Sequence, residues 1–237
     1  MIYGELARYP LYITVKTRMI SFWIKLLKGK ETKLSRILYN FFLHKSALDI
    51  GANFKWIRCI QNILQECGFN YIWLSQKVDN EKWLISAIKQ NLNDQFQQKW
   101  SSDCNASSKG MIYNLFTSNI FKARNYLEII VRRNMIHTLV KFRTSNHRLP
   151  IETGRWSNIP RNQRICMLCK EDIGDEFHYI MTCSALNDCR KYYLPAKYTN
   201  TPNTLKFFNL FSCKKISVLR NLAKFIDIIC KRVNSSG

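Results

Sequence analysis

The chain has 237 residues, enough for one large domain or two small ones, and its 46% hydrophobic and 13% aromatic content excludes a disordered protein. Eight glycines and five prolines are about half the usual share, which argues against a turn-rich all-β fold. Lysine and arginine total 37 against 16 acidic residues, and the resulting net charge of +21 favours a polyanionic partner. Nucleic acid is the first such partner to consider, and an acidic membrane surface is the second.

The nine cysteines are an odd number in a chain far larger than a disulfide-stapled mini-protein, so we expect free thiols or metal ligands. The most apolar early stretch, residues 11–27, is interrupted by Lys16, Arg18 and Lys25. It therefore predicts neither a signal peptide nor a membrane span. We expect an intracellular protein, nuclear or cytoplasmic and not secreted, with no membrane partner and no small-molecule substrate.

Helical periodicity of apolar residues predicts five helices in chain order. The first follows Pro10 and ends at Gly29, with an expected core-facing stripe of Leu11, Val15, Met19, Phe22 and Leu26. The second is a short aromatic-rich run over residues 34–43. The third is capped by Asn53 and ended by Gly68, and its core residues are Ile57, Ile60, Leu64 and Cys67. The fourth and fifth stripes are Leu84, Ile88, Leu92, Phe96 and Trp100, and Leu219, Leu222, Ile226, Ile229 and Val233.

A further helix is predicted over residues 121–142, and it is more basic than the others. Its apolar side comprises Leu127, Val131, Met135, Leu139 and Phe142. Arg132, Arg133 and Arg143 fall towards the other side, which is either a solvated face or a phosphate-binding one. The polar, small-residue segment 101–110 is the best candidate for a hinge.

Four potential metal ligands follow the pattern C-x2-C-x8-H-x4-C, formed by Cys166, Cys169, His178 and Cys183. A two-residue gap lets two thiolates hold one ion, and a later histidine and cysteine can complete a tetrahedron. Sulfur and imidazole ligands favour zinc over magnesium or calcium, and four protein ligands predict a structural site. The alternative is a set of buried free thiols with a surface histidine, and Cys189 is the one plausible substitute ligand.

A basic segment lies immediately before these ligands, with five arginines, one histidine and one tryptophan in residues 142–164. Arginine binds phosphate through two parallel hydrogen bonds, and an exposed tryptophan can stack on an unpaired base. The candidate contacts here are Arg143, Arg148, Arg155, Trp156, Arg161 and Arg164. A basic linker with Trp156 packed inward is the alternative interpretation.

Several segments resemble the C-terminal zinc-binding region of reverse transcriptases from non-LTR (LINE-type) retrotransposons. The most specific are FRTSNHRLPIETGRW (142–156), NIP (158–160), RICMLC (164–169) and IGDEFHY (173–179). ELARYPLY (5–12), RMISFW (18–23), KVDNEKWL (77–84) and DQF (94–96) resemble the segment that follows the polymerase domain. The resemblance implies a helical region ending in a zinc knuckle that grips template RNA or target DNA, with Cys166, Cys169, His178 and Cys183 as zinc ligands.

Catalytic residues of that family have no counterpart here. Its polymerases carry an aromatic-x-Asp-Asp box, since two metals need adjacent carboxylates, and this chain has no Asp-Asp pair. A nuclease site after the knuckle would need clustered carboxylates, but only Asp188 and Asp227 follow Cys183. Asp175 and Glu176, inside the knuckle loop, are better placed to offset local positive charge. We therefore expect a protein that is not an enzyme.

The combined prediction is an all-α protein with four regions. These are a helical region over 1–110, a basic helix and arginine-rich linker over 111–165, a CCHC zinc knuckle over 166–183 and a helical tail over 184–237. The expected function is non-catalytic binding of RNA or DNA. The alternatives are a zinc-stabilised helical module that binds another protein, and a decayed element fragment without a selected function.

Overall fold

The computed structural model describes residues 1–48, 54–117, 121–122, 124–130 and 132–235. Within these residues the chain is helical and forms no strand beyond a single antiparallel bridge between Ile165 and Ile173, so the all-α prediction is confirmed. The helices are α1 (Ile2–Leu6), α2 (Leu11–Leu27), α3 (Leu34–Leu48), α4 (Lys55–Glu66), α5 (Asn70–Ser75), α6 (Glu81–Ala106), α7 (Gly110–Thr117), α8 (Asn125–Ile129), α9 (Arg133–Arg143), α10 (Pro150–Trp156), α11 (Asn187–Tyr193), α12 (Ala196–Thr199), α13 (Thr204–Phe211) and α14 (Ile216–Ser235). No helix of the described residues combines the length and the apolar character needed to cross a bilayer.

The chain divides into two compact units. One comprises residues 9–99. It is called the inserted unit, because in sequence it lies between the two segments of the other unit. The other comprises residues 1–8 and 100–237 and is called the main unit. Helix α6 contributes its residues up to Lys99 to the inserted unit and the rest, from Trp100, to the main unit.

The inserted unit has its own hydrophobic core, built from α2, α4, α5 and α6 with Tyr39 of α3. The indole nitrogen of Trp23 donates a hydrogen bond to the Tyr39 hydroxyl at 2.8 Å, so the buried tryptophan has its polar atom satisfied. Gly68 ends α4 with a φ of 81°, as predicted. The predicted core stripes of α4 and α6 are buried at Ile57, Ile60, Leu64, Cys67, Leu84, Ile88, Leu92 and Trp100, and Phe96 is half-buried against the core. Asn53, the predicted cap of α4, lies outside the described residues.

The predicted core face of α2 is only partly correct, since Leu26 is buried and Met19 is half-buried against the core, but the other three residues are not. Leu11 is 76% exposed, and Val15 and Phe22 are also exposed. The other buried residues of α2 are Ile13, Ile20, Trp23 and Ile24. Because α2 carries apolar side chains on most sides, helical spacing alone allows two different stripes, and the burial of Trp23 beside Tyr39 selects the other one.

The two chain ends of the inserted unit meet. The Tyr9 ring packs edge-to-face on Phe96, with 6.0 Å between the ring centroids. The amide nitrogen of Gln97 also donates a hydrogen bond to the Tyr9 hydroxyl. Residues near the start and near the end of this unit are therefore direct neighbours.

The main unit is organised around α14, which packs against α8, α9, α11 and α13. Every residue of its predicted stripe is buried, namely Leu219, Leu222, Ile226, Ile229 and Val233. Cys166, Tyr179 and Cys183 belong to the same hydrophobic core. The predicted metal-binding segment is therefore part of the main core rather than an appendage to it.

The helix predicted over residues 121–142 is two shorter helices, α8 and α9. Residues 121 and 122 are not helical, and Ile130 and Arg132 have extended backbone angles. The sequence places three β-branched residues in succession at 129–131, which lowers helix propensity at the break. Met135, Leu139 and Phe142 are buried as predicted, and Val131 lies outside the described residues.

The segment predicted as a hinge, residues 101–110, is partly helical, since α6 continues to Ala106.

Candidate metal centre

Four ligand atoms of Cys166, Cys169, His178 and Cys183 lie within 4.8 Å of one another. The Sγ atoms of Cys166 and Cys183 are 3.8 Å apart, and Cys169 Sγ is 3.2 Å from His178 Nε2. All four residues are buried or half-buried. The predicted ligands are thus brought together, and the cluster could hold a metal ion.

The first two cysteines lie on a tight turn that short backbone hydrogen bonds close. The amide of Lys170 donates to the Cys166 carbonyl at 3.0 Å, and the Cys166 amide donates to the Asp172 carbonyl at 2.8 Å. The chain reverses at Lys170, whose φ of 63° is in the left-handed region. This turn places both thiols on the side that faces His178.

Gly174 follows this turn, and close packing rather than the chain reversal requires a glycine there. A Cβ atom at this position would lie 3.0 Å from Cys166 Cα and 2.9 Å from the Pro150 ring. The Gly174 amide donates to the Arg164 carbonyl at 2.8 Å, and its carbonyl accepts from the Ile151 amide at 3.2 Å. Gly174 therefore fixes the cysteine turn against the start of α10.

His178 and Cys183 are separated by a wide helical turn over His178–Thr182. It is closed by a hydrogen bond of 2.8 Å from the Cys183 amide to the His178 carbonyl, five residues earlier. The His178 Nδ1 atom lies 3.1 Å from the Thr182 hydroxyl, while Nε2 faces Cys169. A metal-bound histidine has this arrangement, in which the second ring nitrogen hydrogen-bonds a neighbouring oxygen.

Arg190 of α11 stabilises the backbone around the fourth ligand. Its buried guanidinium donates to the carbonyls of Cys183 at 2.7 Å and Ile180 at 2.9 Å, and to the Asn187 side chain at 2.6 Å. Arg190 was not predicted as part of the site, because nothing in its local sequence distinguishes it from a surface arginine. Cys189, the predicted substitute ligand, is not in the cluster, and its sulfur lies 3.3 Å from Arg232 Nη2.

The thiols of Cys166 and Cys183 have opposite pKa shifts. Burial alone would raise the pKa of Cys166, but hydrogen bonds from His178 and from the backbone amides of Cys169 and Leu168 lower it. Burial raises the pKa of Cys183, and the nearby negative charge of Cys166 raises it further. A bound dication would remove the protons of all the coordinating thiols.

Between the second and third residues of the cluster, Asp175 offsets nearby positive charge, as predicted. Asp175 pairs with Arg161 at 3.2 Å. Glu176 is buried and lies 2.8 Å from the Ser145 hydroxyl and 3.0 Å from His147 Nε2. Although burial opposes ionisation, these hydrogen bonds keep the pKa of Glu176 below its usual value. The loop between α9 and α10 is thereby joined to the metal-binding segment.

Arg143 does not belong to a nucleic-acid surface, and its prediction as a phosphate contact is corrected. It is 2% exposed, and its Nε atom donates to the Glu5 carboxylate at 2.5 Å. Its guanidinium also packs over the rings of Phe116 and Tyr126. A charge desolvated and paired in this way is not available to a phosphate.

Three other predicted contacts are occupied by partners within the protein. Arg155 pairs with Glu152 at 2.8 Å, and Arg161 pairs with Asp175. Arg164 donates to the carbonyls of Ile151 at 2.9 Å and Ile159 at 2.8 Å, which makes it a link between α10 and the cysteine turn.

The remaining predicted contacts are exposed. Arg132, Arg133 and Arg148 all lie at the surface, and none has an ion-pair partner among the described residues. Trp156 is 55% exposed at the end of α10, so it is not packed inward. These four side chains are available to an external ligand.

Comparison with known proteins leaves the chain without a match: no protein-family model, no curated protein and no solved structure matches it. Its function is therefore inferred from the chemistry of its own side chains.

Proposed function

We propose that Cys166, Cys169, His178 and Cys183 form a structural CCHC zinc knuckle. Three sulfurs and one imidazole nitrogen are the donor set that zinc prefers, and four protein ligands leave no open position for catalysis. Two thiolates on a tetrahedral zinc ion, at about 2.3 Å from it, are about 3.8 Å apart. The Cys166–Cys183 distance of 3.8 Å supports this assignment.

The main unit, stabilised by this ion, binds RNA or DNA without catalysing a reaction on it. The observation that carries the proposal is the net charge of +21, which a polyanion would neutralise. Arg132, Arg133 and Arg148 support it as exposed cations with no ion-pair partner among the described residues. Phosphate contacts of this kind give affinity and carry little sequence specificity.

The origin we infer is the C-terminal, post-polymerase region of a LINE-type reverse transcriptase. The resemblance of residues 142–183 to that region supports it, as does the approach of the four ligands to one another. The missing Asp-Asp pair supports a role in gripping nucleic acid rather than copying it. None of the nine cysteines forms a disulfide, which fits a reducing intracellular compartment.

The experiment is a titration of labelled single strands and RNA hairpins with the full chain at several salt concentrations. The logarithm of the affinity should fall with the logarithm of the salt concentration, by about 0.7–0.9 per neutralised phosphate. Replacing Arg132, Arg133 and Arg148 by alanine should reduce this slope. A matched control removes three exposed cations of the inserted unit, Arg18, Lys25 and Lys30, and should leave the slope closer to wild type. A salt-independent affinity of the wild-type chain would contradict the proposal.

A protein-binding module is the second candidate, and one observation favours it. Helices α2 and α3 expose several large apolar side chains, namely Leu11, Val15, Phe22, Leu34, Ile37 and Phe41. Exposed apolar side chains in such number are typical of surfaces that contact another protein. This candidate predicts no salt-dependent affinity for nucleic acid, so the same titration distinguishes the two.

A further inference from the structure

A cavity of about 440 Å³ lies in the main unit between α9, α10 and α14. Its volume is within the range of about 300–1,000 Å³ that small-molecule and nucleotide sites occupy. Its lining includes four buried apolar side chains, Phe142, Leu149, Ile226 and Val233. The cavity wall is therefore apolar in part.

Trp156 lines this cavity from the end of α10. Because Trp156 is 55% exposed, a ligand can contact its side chain. Tryptophan stacks on bases of any sequence, since every base has a π-face. A cavity that is apolar in part and lined by an exposed tryptophan fits a base that is not held in a duplex.

The other side chains of the cavity are polar and positively charged. Lys141 and Arg148 are exposed, and neither is in an ion pair within the described part of the chain. Asp227 also lines the cavity, but its carboxylate is paired with Lys231 at 2.7 Å. Asn146 and Asn234 add amide groups that can donate to and accept from the edge of a base.

A second cavity, of about 530 Å³, shares His137, Lys141 and Asn146 with the first and extends to Lys109. Lys141 therefore lines both cavities, and Lys109 adds one further cationic side chain to the path through them. An extended polyanion fits such a path better than an isolated small molecule does.

We propose that the cavity beside Trp156 holds one unpaired base of a single-stranded nucleic acid, with the adjoining phosphates on Lys141 and Arg148. This inference rests on the proposed nucleic-acid binding and adds its position and its preference for single strands. In a duplex the bases are stacked on one another, so none could enter the cavity without first being unpaired.

The test compares a short labelled single strand with an abasic strand of equal length, which has the same phosphates but no bases. The full chain should bind the base-containing strand more tightly. Trp156→Ala should weaken that binding by about 5- to 150-fold and leave the abasic strand unaffected. Trp83→Ala is the matched control, because Trp83 is 53% exposed but lies in the inserted unit, and it should leave both affinities unchanged.

The double variant Lys141→Ala and Arg148→Ala should weaken both strands and reduce the salt slope by about 0.7 for each lost phosphate contact. Equal affinity of the wild type for the two strands would overturn the cavity proposal while leaving nucleic-acid binding intact. The cavity proposal would also be overturned if an acidic peptide competed for the cavity to the same extent as a nucleic-acid strand of equal charge. That result would identify a peptide-binding site. Failure of the wild type to bind any strand would instead contradict the proposed function itself.

Discussion

Glu5 and Arg143 form a buried ion pair across 138 positions of sequence, with 2.5 Å between the Arg143 Nε atom and the carboxylate. Glu5 is 0% exposed and also accepts a hydrogen bond from the Tyr126 hydroxyl at 2.6 Å. Arg124 lies 3.6 Å from its second oxygen. The first residues of the chain are therefore joined to the middle of the main unit by a largely buried charge network.

Removal of the Glu5 carboxylate should be strongly destabilising. Glu5→Ala leaves the Arg143 guanidinium buried without its counter-charge, which costs about 3–5 kcal/mol of unfolding free energy. The matched control is Glu66→Ala, which breaks the exposed Lys16–Glu66 pair and should cost at most about 1 kcal/mol. Urea denaturation of both variants measures the difference, and equal losses would contradict the buried role of Glu5.

Metal removal should unfold part of the main unit. We expect one zinc ion per chain by elemental analysis, and a chelator should unfold at least residues 160–190, because a closed four-ligand site contributes directly to folding free energy. Affinity for zinc should fall as the pH is lowered, since the thiols must lose their protons to bind it. The inserted unit has a separate core and should resist limited proteolysis during the same treatment.

Cysteine variants test the ligand assignment. Cys183→Ser should abolish the bound zinc, whereas Cys59→Ser and Cys189→Ser should leave the zinc content unchanged, because their sulfurs are not in the cluster. Loss of metal from Cys189→Ser with metal retained by Cys183→Ser would show that the fourth ligand is misassigned.

Gly174→Ala should disturb the cysteine turn. Its methyl group would meet the backbone of Cys166 and the ring of Pro150, neither of which can move aside easily, so we expect a loss of about 1–3 kcal/mol and weaker metal binding. Lys170→Gly is the control, since Lys170 already has a positive φ that glycine adopts without strain. Competition with a zinc-binding dye would measure both variants, and wild-type affinity in Gly174→Ala would contradict the packing argument.

Arg164→Ala should reduce stability rather than only nucleic-acid affinity. It removes charged hydrogen bonds to the Ile151 and Ile159 carbonyls, and each such bond contributes at most about 3 kcal/mol to the unfolding free energy. Arg161→Ala, which breaks an exposed ion pair, should change the melting temperature much less. Unchanged melting with a reduced salt slope in Arg164→Ala would restore the original prediction of a phosphate contact.

Local patterns predicted the features that depend on short sequence separations. The α14 stripe and the four-ligand spacing both span fewer than 20 positions, and the structure places both as expected. Arg143 was misassigned because its partner, Glu5, is far away in sequence. The local sequence around an arginine is the same whether its side chain pairs with a carboxylate or is exposed to solvent. Arg190 was missed for a different reason: its carbonyl partners, Cys183 and Ile180, are near in sequence, but its bonds to them depend on how the wide turn folds.

The meeting of Tyr9 with Phe96 and Gln97 has a consequence for dissecting the molecule. A module whose ends are neighbours can be excised from its host, or grafted into another loop, with little cost in chain closure. Joining Arg8 to Trp100 through a few flexible residues would retain Glu5, which the Arg143 network needs. A plain N-terminal truncation to residue 100 would instead delete Glu5 and leave Arg143 uncompensated.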